Sequence, residues 1–353
     1  MMRVALLIRE IALTNFRGIR DGSVTGLGEI NVFAGRNNSG KSTILEALYL
    51  LRVPLGPESE LGGMSALGWL LQRRARRTVP DARTLSWHYD GGDPLTISCT
   101  FDGLKMMMKA KCSENRIDFE FLDATSSLSL FKVRNAGNES YVYDYPGGGI
   151  GQNTKDPLLL LDFQKIGGQP PLLDPNFPSS CKQFLQYIQG IVLVDEQFVA
   201  QTEAIEDVFW PRILAKRVDK RLSQILNDTY GANIEHFTLS PFAIPPGPPR
   251  LPERRGHRLS AALEDFSQYI DDYGDGVRNA LASLIIASQL HGTALLLEEP
   301  EIHQHPAALR LFLTALCKIA HENQLQLFIT THSLDVMNCV AQIDGTAIFH
   351  LET

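Results

Sequence analysis

GRNNSGKS, residues 35 to 42, is the stretch that decides the fold. It matches the pattern GxxxxGK[ST] and lies between an apolar run, Ile30 to Ala34, and a helical pattern that begins near Ser42. Glycines in such a loop let backbone N–H groups surround an anion, and the helix N-terminus adds positive potential. Lys41 would reach the outer phosphates and Ser42 would ligate magnesium. We therefore predict a phosphate-binding loop between a buried strand and a helix.

A pair of carboxylates follows a second apolar run in ALLLEEPEIHQHP, which starts at Ala294. If the run is a strand of a parallel sheet, its carboxyl end faces the ligand crevice. There Glu298 can hold the magnesium shell, while Glu299 orients or deprotonates the attacking water. The alternative is a strand that continues into a solvated acidic turn.

A third apolar run ends in Thr330, Thr331, His332 and Ser333. We expect the His332 imidazole beside the γ-phosphate, where it can hydrogen-bond that group and hold the water in line. A structural histidine is the alternative, so this role depends on the other motifs. His303 and His305 resemble a His-x-His metal pair, but no third ligand accompanies them at suitable spacing.

The segment YGDGVRN, Tyr273 to Asn279, is a glycine turn that opens an amphipathic helix. The amides of Gly274 and Gly276, together with the helix dipole, can form another anion site, suited to capping a nucleotide from outside. The alternative is a simple helix N-cap at Asp275.

The composition is that of an ordinary globular protein, since 44% of the 353 residues are hydrophobic and 21% are charged. The apolar runs are far shorter than the roughly 20 residues of a membrane-spanning helix, so no membrane association is expected. The N-terminus reads as a first strand and not as a signal peptide. Five cysteines without a CxxC pair predict neither disulfides nor a zinc ribbon, which favours the cytoplasm.

The net charge of -7 argues against a protein that coats nucleic acid with its whole surface. A local basic groove for DNA remains open, with solvated faces as the alternative. The arginines that could form it lie in two groups: Arg73, Arg74, Arg76, Arg77 and Arg83, then Arg250, Arg254, Arg255 and Arg258.

We expect residues 1–353 to form a single α/β domain with a central, mostly parallel sheet. Residues 1–55 and 260–353 form the predicted nucleotide-binding core. Short alternating segments over 85–145 predict an antiparallel β lobe. Residues 146–259 would be an inserted region with a strand, helical segments and proline-rich loops. No internal repeat or coiled-coil heptad occurs.

These motifs, together with NFRGI at Asn15 to Ile19, occur in the order seen in ABC-type ATPases of the RecF, SMC and OLD (overcoming lysogenization defect) group. The chain resembles the compact, stand-alone OLD-like ATPases in nearly its whole length. The resemblance implies ATP and Mg²⁺ as ligands, Ser42 and Glu298 at the magnesium, and Glu299 and His332 as catalytic residues. It implies these contacts to the nucleotide: Gly35, Asn37, Asn38, Ser39, Gly40, Lys41, Ser42 and Thr43.

The resemblance also implies a homodimer, in which Gly274, Asp275 and Gly276 of one chain cap the ATP held by the other. Glu298 stands where many relatives carry Asp, so a magnesium contact through water is an alternative to a direct one. The Q-loop glutamine stays open among Gln164, Gln183 and Gln197. The absence of heptads excludes the long arms of an SMC protein, and from the position of His332 near the end of the sequence we expect no Toprim nuclease domain.

We therefore expect an ATP-driven dimerising switch that acts on DNA or with a separately encoded effector or nuclease, as in repair or phage defence. A transporter subunit would be expected to carry LSGGQ and gives no reason for NFRGI. A small-molecule kinase would not need Glu299 or His332. A nucleotide sensor that does not hydrolyse ATP and regulates a separate effector is the remaining alternative.

Overall fold

The fold is that of a computed structural model, which describes residues 6–55, 66–73, 81–87, 92–113, 116–125, 128–135, 141–144, 179–200, 209–243 and 255–352. The strands in these ranges are β1 (Ile8–Phe16), β2 (Ile19–Thr25), β3 (Ile30–Gly35), β4 (Leu95–Phe101), β5 (Leu104–Ser113), β6 (Arg116–Asp123), β7 (Leu128–Asn135), β8 (Tyr141–Asp144), β9 (Val192–Val194), β10 (His236–Ala243), β11 (Arg255–Ala262), β12 (Ser267–Tyr269), β13 (Ala294–Glu298), β14 (Gln326–Thr331) and β15 (Thr346–Leu351). The helices are α1 (Lys41–Arg52), α2 (Ala66–Gln72), α3 (Ser179–Gln189), α4 (Glu196–Val199), α5 (Trp210–Ala215), α6 (Asp219–Tyr230), α7 (Asp275–Gln289), α8 (Pro306–Glu322) and α9 (Leu334–Val340).

A five-stranded parallel sheet forms the centre of the fold, in the spatial order β15-β3-β14-β13-β9. β3, β13 and β14 are buried along nearly their whole length, as continuous apolar runs in a parallel sheet require. All five strands end at the same edge of the sheet. The predicted α/β class with a central parallel sheet is confirmed.

A seven-stranded antiparallel sheet, in the order β2-β1-β4-β5-β6-β7-β8, forms the predicted β lobe. In β4 buried side chains alternate with partly exposed ones, because successive side chains of a strand point to opposite faces. The lobe also includes the first two strands of the chain, since β1 pairs with both β2 and β4. A separate three-stranded sheet comprises β10, β11 and β12.

Helix α1 packs against strands of both large sheets, among them β1, β3, β13 and β14. Ten of its twelve residues are buried, as expected for a helix that is covered on every side. Fully burying one Leu or Ile side chain contributes roughly 1.5–3 kcal/mol, so packing holds this helix rigidly behind the glycine loop. Within the described ranges, no helix is both long and apolar enough to cross a lipid bilayer.

The buried Gln326 side chain ties the two large sheets together. Its Nε2 donates hydrogen bonds to the carbonyls of Ile8 and Gly28, both at 2.8 Å, and its Oε1 accepts one from the Ile8 amide at 2.9 Å. Because a buried amide without partners would be costly, these bonds specify how β14 and β1 pack. The antiparallel lobe is thereby tied to the edge where the parallel strands begin, because Gln326 is the first residue of β14.

Candidate nucleotide-binding site

A cleft of about 770 Å³ opens at the carboxyl edge of the parallel sheet. It is lined by the loop 37–43, by Gly18 in the turn before β2 and residues 19–21 of β2, and by residues at or just after the ends of β13 and β14. Of the residues predicted to contact nucleotide, all but Gly35 line this cleft, and Gly35 ends the strand that precedes the loop. Glu298, Glu299 and His332 line it as well.

Glycine is required at two positions of the loop. Gly35 has φ 152°, and a Cβ there would lie 2.4 Å from the Leu351 carbonyl oxygen, so a side chain cannot be accommodated. Gly40 has φ 91° and forms the N-cap of α1, a left-handed conformation that glycine adopts without strain. The sharp turn brings the first amides of α1 to the floor of the cleft, where unpaired helix N–H groups favour an anion.

The Lys41 side chain lies along the loop. Its Nζ donates hydrogen bonds to the carbonyls of Gly35 and Arg36 at 3.1 and 2.9 Å. Burial lowers the pKa of the Lys41 ammonium, and the nearby carboxylates, led by Glu299, partly offset this effect. The ammonium is therefore held at the loop where an outer phosphate would bind.

Glu299 and His332 form a pair across neighbouring strand ends. The His332 Nε2 lies 3.0 Å from the Glu299 Oε1. Glu299 has φ 48°, an uncommon conformation for a residue with a side chain, and its amide donates to the Thr330 carbonyl at 3.0 Å. Such strain costs of order 1–3 kcal/mol and persists where the surroundings fix it, commonly at functional sites.

Glu301 connects the loops that carry this pair, a contact that the sequence analysis missed. Its Oε1 accepts hydrogen bonds from the Thr331 hydroxyl at 2.6 Å and from the His332 amide at 2.9 Å. The segment after β13 is thereby fastened to the segment after β14. Because Glu299 and His332 lie on these two segments, Glu301 helps to hold them together.

Arg73 is not part of a basic groove, and that expectation was wrong for this residue. Its side chain is only 6% exposed and pairs with Asp195, Glu46 and Glu298. A buried guanidinium that is already paired with three carboxylates is not accessible to a DNA phosphate. Asp195 and Glu46 also line the cleft and were missed, although Asp195 follows the apolar run of β9 just as Glu298 follows the apolar residues of β13.

The other arginines of the predicted groove give it little support. Arg83 pairs with Asp81 at 2.7 Å, and Arg258 lies 3.8 Å from Asp271. The side chains of the remaining ones lie outside the described part of the chain: Arg74, Arg76, Arg77, Arg250, Arg254 and Arg255.

The glycine turn at 274–276 does not line the cleft of its own chain. Gly274 is the N-cap of α7, in place of Asp275, and a Cβ on it would meet nothing within 4 Å. Gly276 is packed internally, since a Cβ there would lie 2.6 Å from the His303 carbonyl oxygen. The open side of the turn is thus at Gly274.

One of the three open Q-loop glutamines lies at the cleft. Gln197 lines it, and its Nε2 donates to the Arg73 carbonyl at 3.5 Å. Gln183 is exposed on α3, and Gln164 lies outside the described residues.

The charge of the cleft lining matters for any polyphosphate. Among the residues that the structure describes, seven carboxylates and three cations line the cleft: Asp21, Glu46, Asp195, Glu196, Glu298, Glu299 and Glu352, and Arg20, Lys41 and Arg73. A divalent cation that accompanied an anionic ligand would offset the repulsion by these carboxylates and strengthen binding. Ser42 and Glu298 offer the oxygen donors that Mg²⁺ prefers, and one or two such groups suffice when phosphates supply the rest. Within the described residues, no group of three or more His, Cys, Asp or Glu forms an all-protein metal site.

In a comparison with known proteins, the family profile described as "AAA ATPase domain" matches residues 7–143 and 193–337. An ATP/GTP phosphatase of Helicobacter pylori is 21% identical, with 96% of this chain and 88% of that protein covered. An OLD nuclease of Thermus scotoductus is 23% identical over 93% of this chain, which spans 59% of that protein. The SMC head domain from Thermotoga maritima aligns with a TM-score of 0.39 at 13% identity, over 94% of this chain and 91% of that one.

Replacing Lys41 with Ala should abolish ATP binding, because it removes the ammonium that faces the outer phosphates. Isothermal titration calorimetry measures this, with Lys105→Ala on the exposed side of β5 as the matched control. Since only the protonated ammonium attracts phosphate and burial lowers its pKa, wild-type affinity should fall on the alkaline side. An unchanged affinity of Lys41→Ala would refute the assignment.

Replacing Glu301 with Ala should lower the turnover number about 10–100-fold, because hydrogen bonds to a carboxylate contribute roughly 1.5–3 kcal/mol. ATP affinity should change little. Glu301→Gln keeps an oxygen that accepts both bonds, so it should retain most of the turnover. If the Gln and Ala variants lose turnover equally, Glu301 does not act by holding the His332 loop.

Proposed function

Because the chain belongs to the AAA ATPase domain family, we propose that this P-loop ATPase binds Mg·ATP in the cleft and hydrolyses it as an ATP-dependent homodimer. Family membership confirms the enzyme class that the glycine loop and the two strand-end motifs predict. The observation that carries the finer proposal is the Glu299–His332 pair, 3.0 Å apart, in the same cleft as the loop 37–43.

In this proposal the loop amides and Lys41 hold the phosphates, and Ser42 and Glu298 hold the magnesium. When bound, Mg²⁺ supplies the positive charge that offsets the phosphates and the acidic cleft lining. The Glu299 carboxylate accepts a hydrogen bond or a proton from the attacking water. His332 donates to the terminal phosphate and keeps the Glu299 carboxylate oriented. The strained backbone at Glu299 supports a carboxylate held in place before ATP arrives.

The dimer completes the site in this proposal. Residues 274–276 lie outside the cleft of their own chain, and the N-terminus of α7 is open at Gly274. A helix N-terminus stabilises negative charge. We infer that the turn of one chain caps the ATP of its partner. Gln304 and Tyr230 support this by holding the turn, since the Gln304 Nε2 donates to the Gly276 carbonyl at 2.6 Å and the Tyr230 hydroxyl donates to the Gln304 Oε1 at 2.7 Å.

DNA is the partner that the surface supports best, at the corner between α5 and α6. Arg212, Lys216, Arg217 and Lys220 are all exposed there, and Asp219 is the one acidic residue among them. On the outer face of the antiparallel lobe, by contrast, Lys109 lies opposite Glu120 and Lys111 lies opposite Asp118. The corner is therefore a local basic surface on a chain whose net charge is -7.

Replacing Glu299 with Gln should lower turnover about 10²–10⁴-fold, the usual contribution of a general base, while ATP still binds. Unhydrolysed ATP at a shared site stabilises the dimer by mass action. Light scattering should therefore show Mg·ATP doubling the mass from 39.2 kDa. Normal turnover of the Glu299→Gln variant would show that Glu299 is not the catalytic carboxylate. A wild-type chain without turnover under any condition would favour the nucleotide sensor.

In the Glu299→Gln background, Gly274→Asp should prevent this dimer and Gly274→Asn should permit it. Both side chains fit the N-cap backbone at φ -60° and ψ 149°, but only aspartate brings a negative charge to the partner's phosphates. ATP binding to the monomer should be equal in the two variants. Equal dimerisation of both would contradict capping in trans.

DNA binding should be weak and salt-sensitive, since each phosphate contact contributes about -0.9 to the slope of log affinity against log salt. Arg217→Glu with Lys220→Glu should reduce both the affinity and the magnitude of that slope. The matched control is Lys105→Glu with Lys111→Glu on the mixed-charge face of β5. Fluorescence anisotropy with a DNA duplex measures the affinity and its salt dependence. If the affinity does not change with salt, or does not change in the Arg217→Glu, Lys220→Glu variant, this surface does not bind DNA.

A further inference from the structure

Arg73 lies at the C-terminal end of α2 and uses all three guanidinium nitrogens on different carboxylates. Its Nε is 2.7 Å from the Asp195 Oδ2 and its Nη1 is 3.3 Å from the Glu46 Oε1. Its Nη2 donates to the Glu298 Oε2. These partners come from the loop after β9, from α1 and from the end of β13. The guanidinium thus joins three elements that meet at the cleft.

The charges of this cluster depend on one another. The Glu46 carboxylate also pairs with the Arg17 Nε at 2.6 Å, and its side chain is only 1% exposed. Burial alone lowers the pKa of Arg73, but the carboxylates of Glu298, Asp195 and Glu46 outweigh it and raise the pKa above its ordinary value. Arg73 is therefore always charged. Removing it would leave buried carboxylates facing one another without compensation.

The guanidinium is also held from behind. Its central carbon lies 5.3 Å from the centre of the Trp69 ring, and Trp69 packs on Tyr49 of α1 at 5.1 Å. The Arg17 Nη2 donates to the Leu70 carbonyl at 3.4 Å, which fixes α2 to the turn between β1 and β2. With two buried anchors and an aromatic wall, Arg73 is fixed in place and does not reach into the cleft like a mobile side chain.

We propose that Arg73 is a positioning residue that fixes the carboxylate of Glu298 for the magnesium ion. The inference rests on the proposed function, in which Glu298 supports Mg²⁺. A glutamate has one more rotatable bond than an aspartate, so it loses more freedom when it binds a cation. Arg73 restrains that freedom beforehand by holding one oxygen of the carboxylate. The side chain of Glu298 remains 21% exposed and lines the cleft.

The test measures metal affinity and not turnover. In the Glu299→Gln background with ATP bound, Mn²⁺ is titrated and followed by electron paramagnetic resonance. Arg73→Lys keeps a positive charge but cannot span three carboxylates, so it should weaken Mn²⁺ binding about 10–100-fold, as second-sphere changes do. ATP affinity in EDTA should stay the same. Arg221→Lys, at the exposed pair with Glu322, is the matched control and should change neither.

Two further variants separate the outcomes. Asp195→Asn replaces the charged anchor of Arg73 by a neutral oxygen and leaves Ser42 and Glu298 intact, so it should weaken Mn²⁺ binding in the same direction by a smaller factor, even if Arg73→Lys does not fold. Glu298→Gln tests the premise. If it leaves Mn²⁺ affinity unchanged, the proposed function is wrong about Glu298. The positioning proposal is overturned if Glu298→Gln weakens Mn²⁺ binding while folded Arg73→Lys or Asp195→Asn leaves it unchanged. It is also overturned if Arg73→Lys and Asp195→Asn weaken the binding of metal-free ATP as much as they weaken the binding of Mn²⁺.

Discussion

The parallel pairing of β3, β14, β13 and β9 is the constraint on which the whole site depends. Parallel strands that lie side by side end at one edge, so residues far apart in the chain meet there. The loop after β3 lies beside the His332 loop, which lies beside Glu298 and Glu299, and Asp195 follows on the next strand. No single segment could supply this set of groups. The order of the strands in the sheet brings them together.

The same convergence creates an electrostatic problem. Strand ends that carry carboxylates bring negative charges within reach of one another in a partly buried place, which is unfavourable without cations. Arg73 and Arg17 neutralise the innermost carboxylates, and Lys41 is held by loop carbonyls at the other side. The carboxylates that remain make the cleft acidic, which favours a nucleotide that arrives with a divalent cation.

The sequence predicted the elements whose signal is local. An apolar run precedes the glycine loop, the pair Glu298 and Glu299, and the segment that carries His332. Each strand and the functional residues at its end could therefore be predicted from the same stretch of sequence. The same rule applied to the run before Asp195 would have found that residue. Arg73 could not be found this way, because its partners lie 27, 122 and 225 residues away and an arginine-rich stretch reads as a solvated face. The role of Glu301 and the pairing of β1 with β4 likewise depend on contacts distant in sequence.

The central claim is that the glycine turn of one chain completes the ATP site of another, and a mixing experiment tests it most directly. Lys41→Ala has a defective phosphate loop with an intact turn, and Gly274→Asp has the reverse. In a mixed dimer one site carries both defects and the other carries neither. Turnover of the equimolar mixture should therefore rise well above the mean of the two variants measured alone. A mixture that stays at that mean would show that the turn does not act across the dimer.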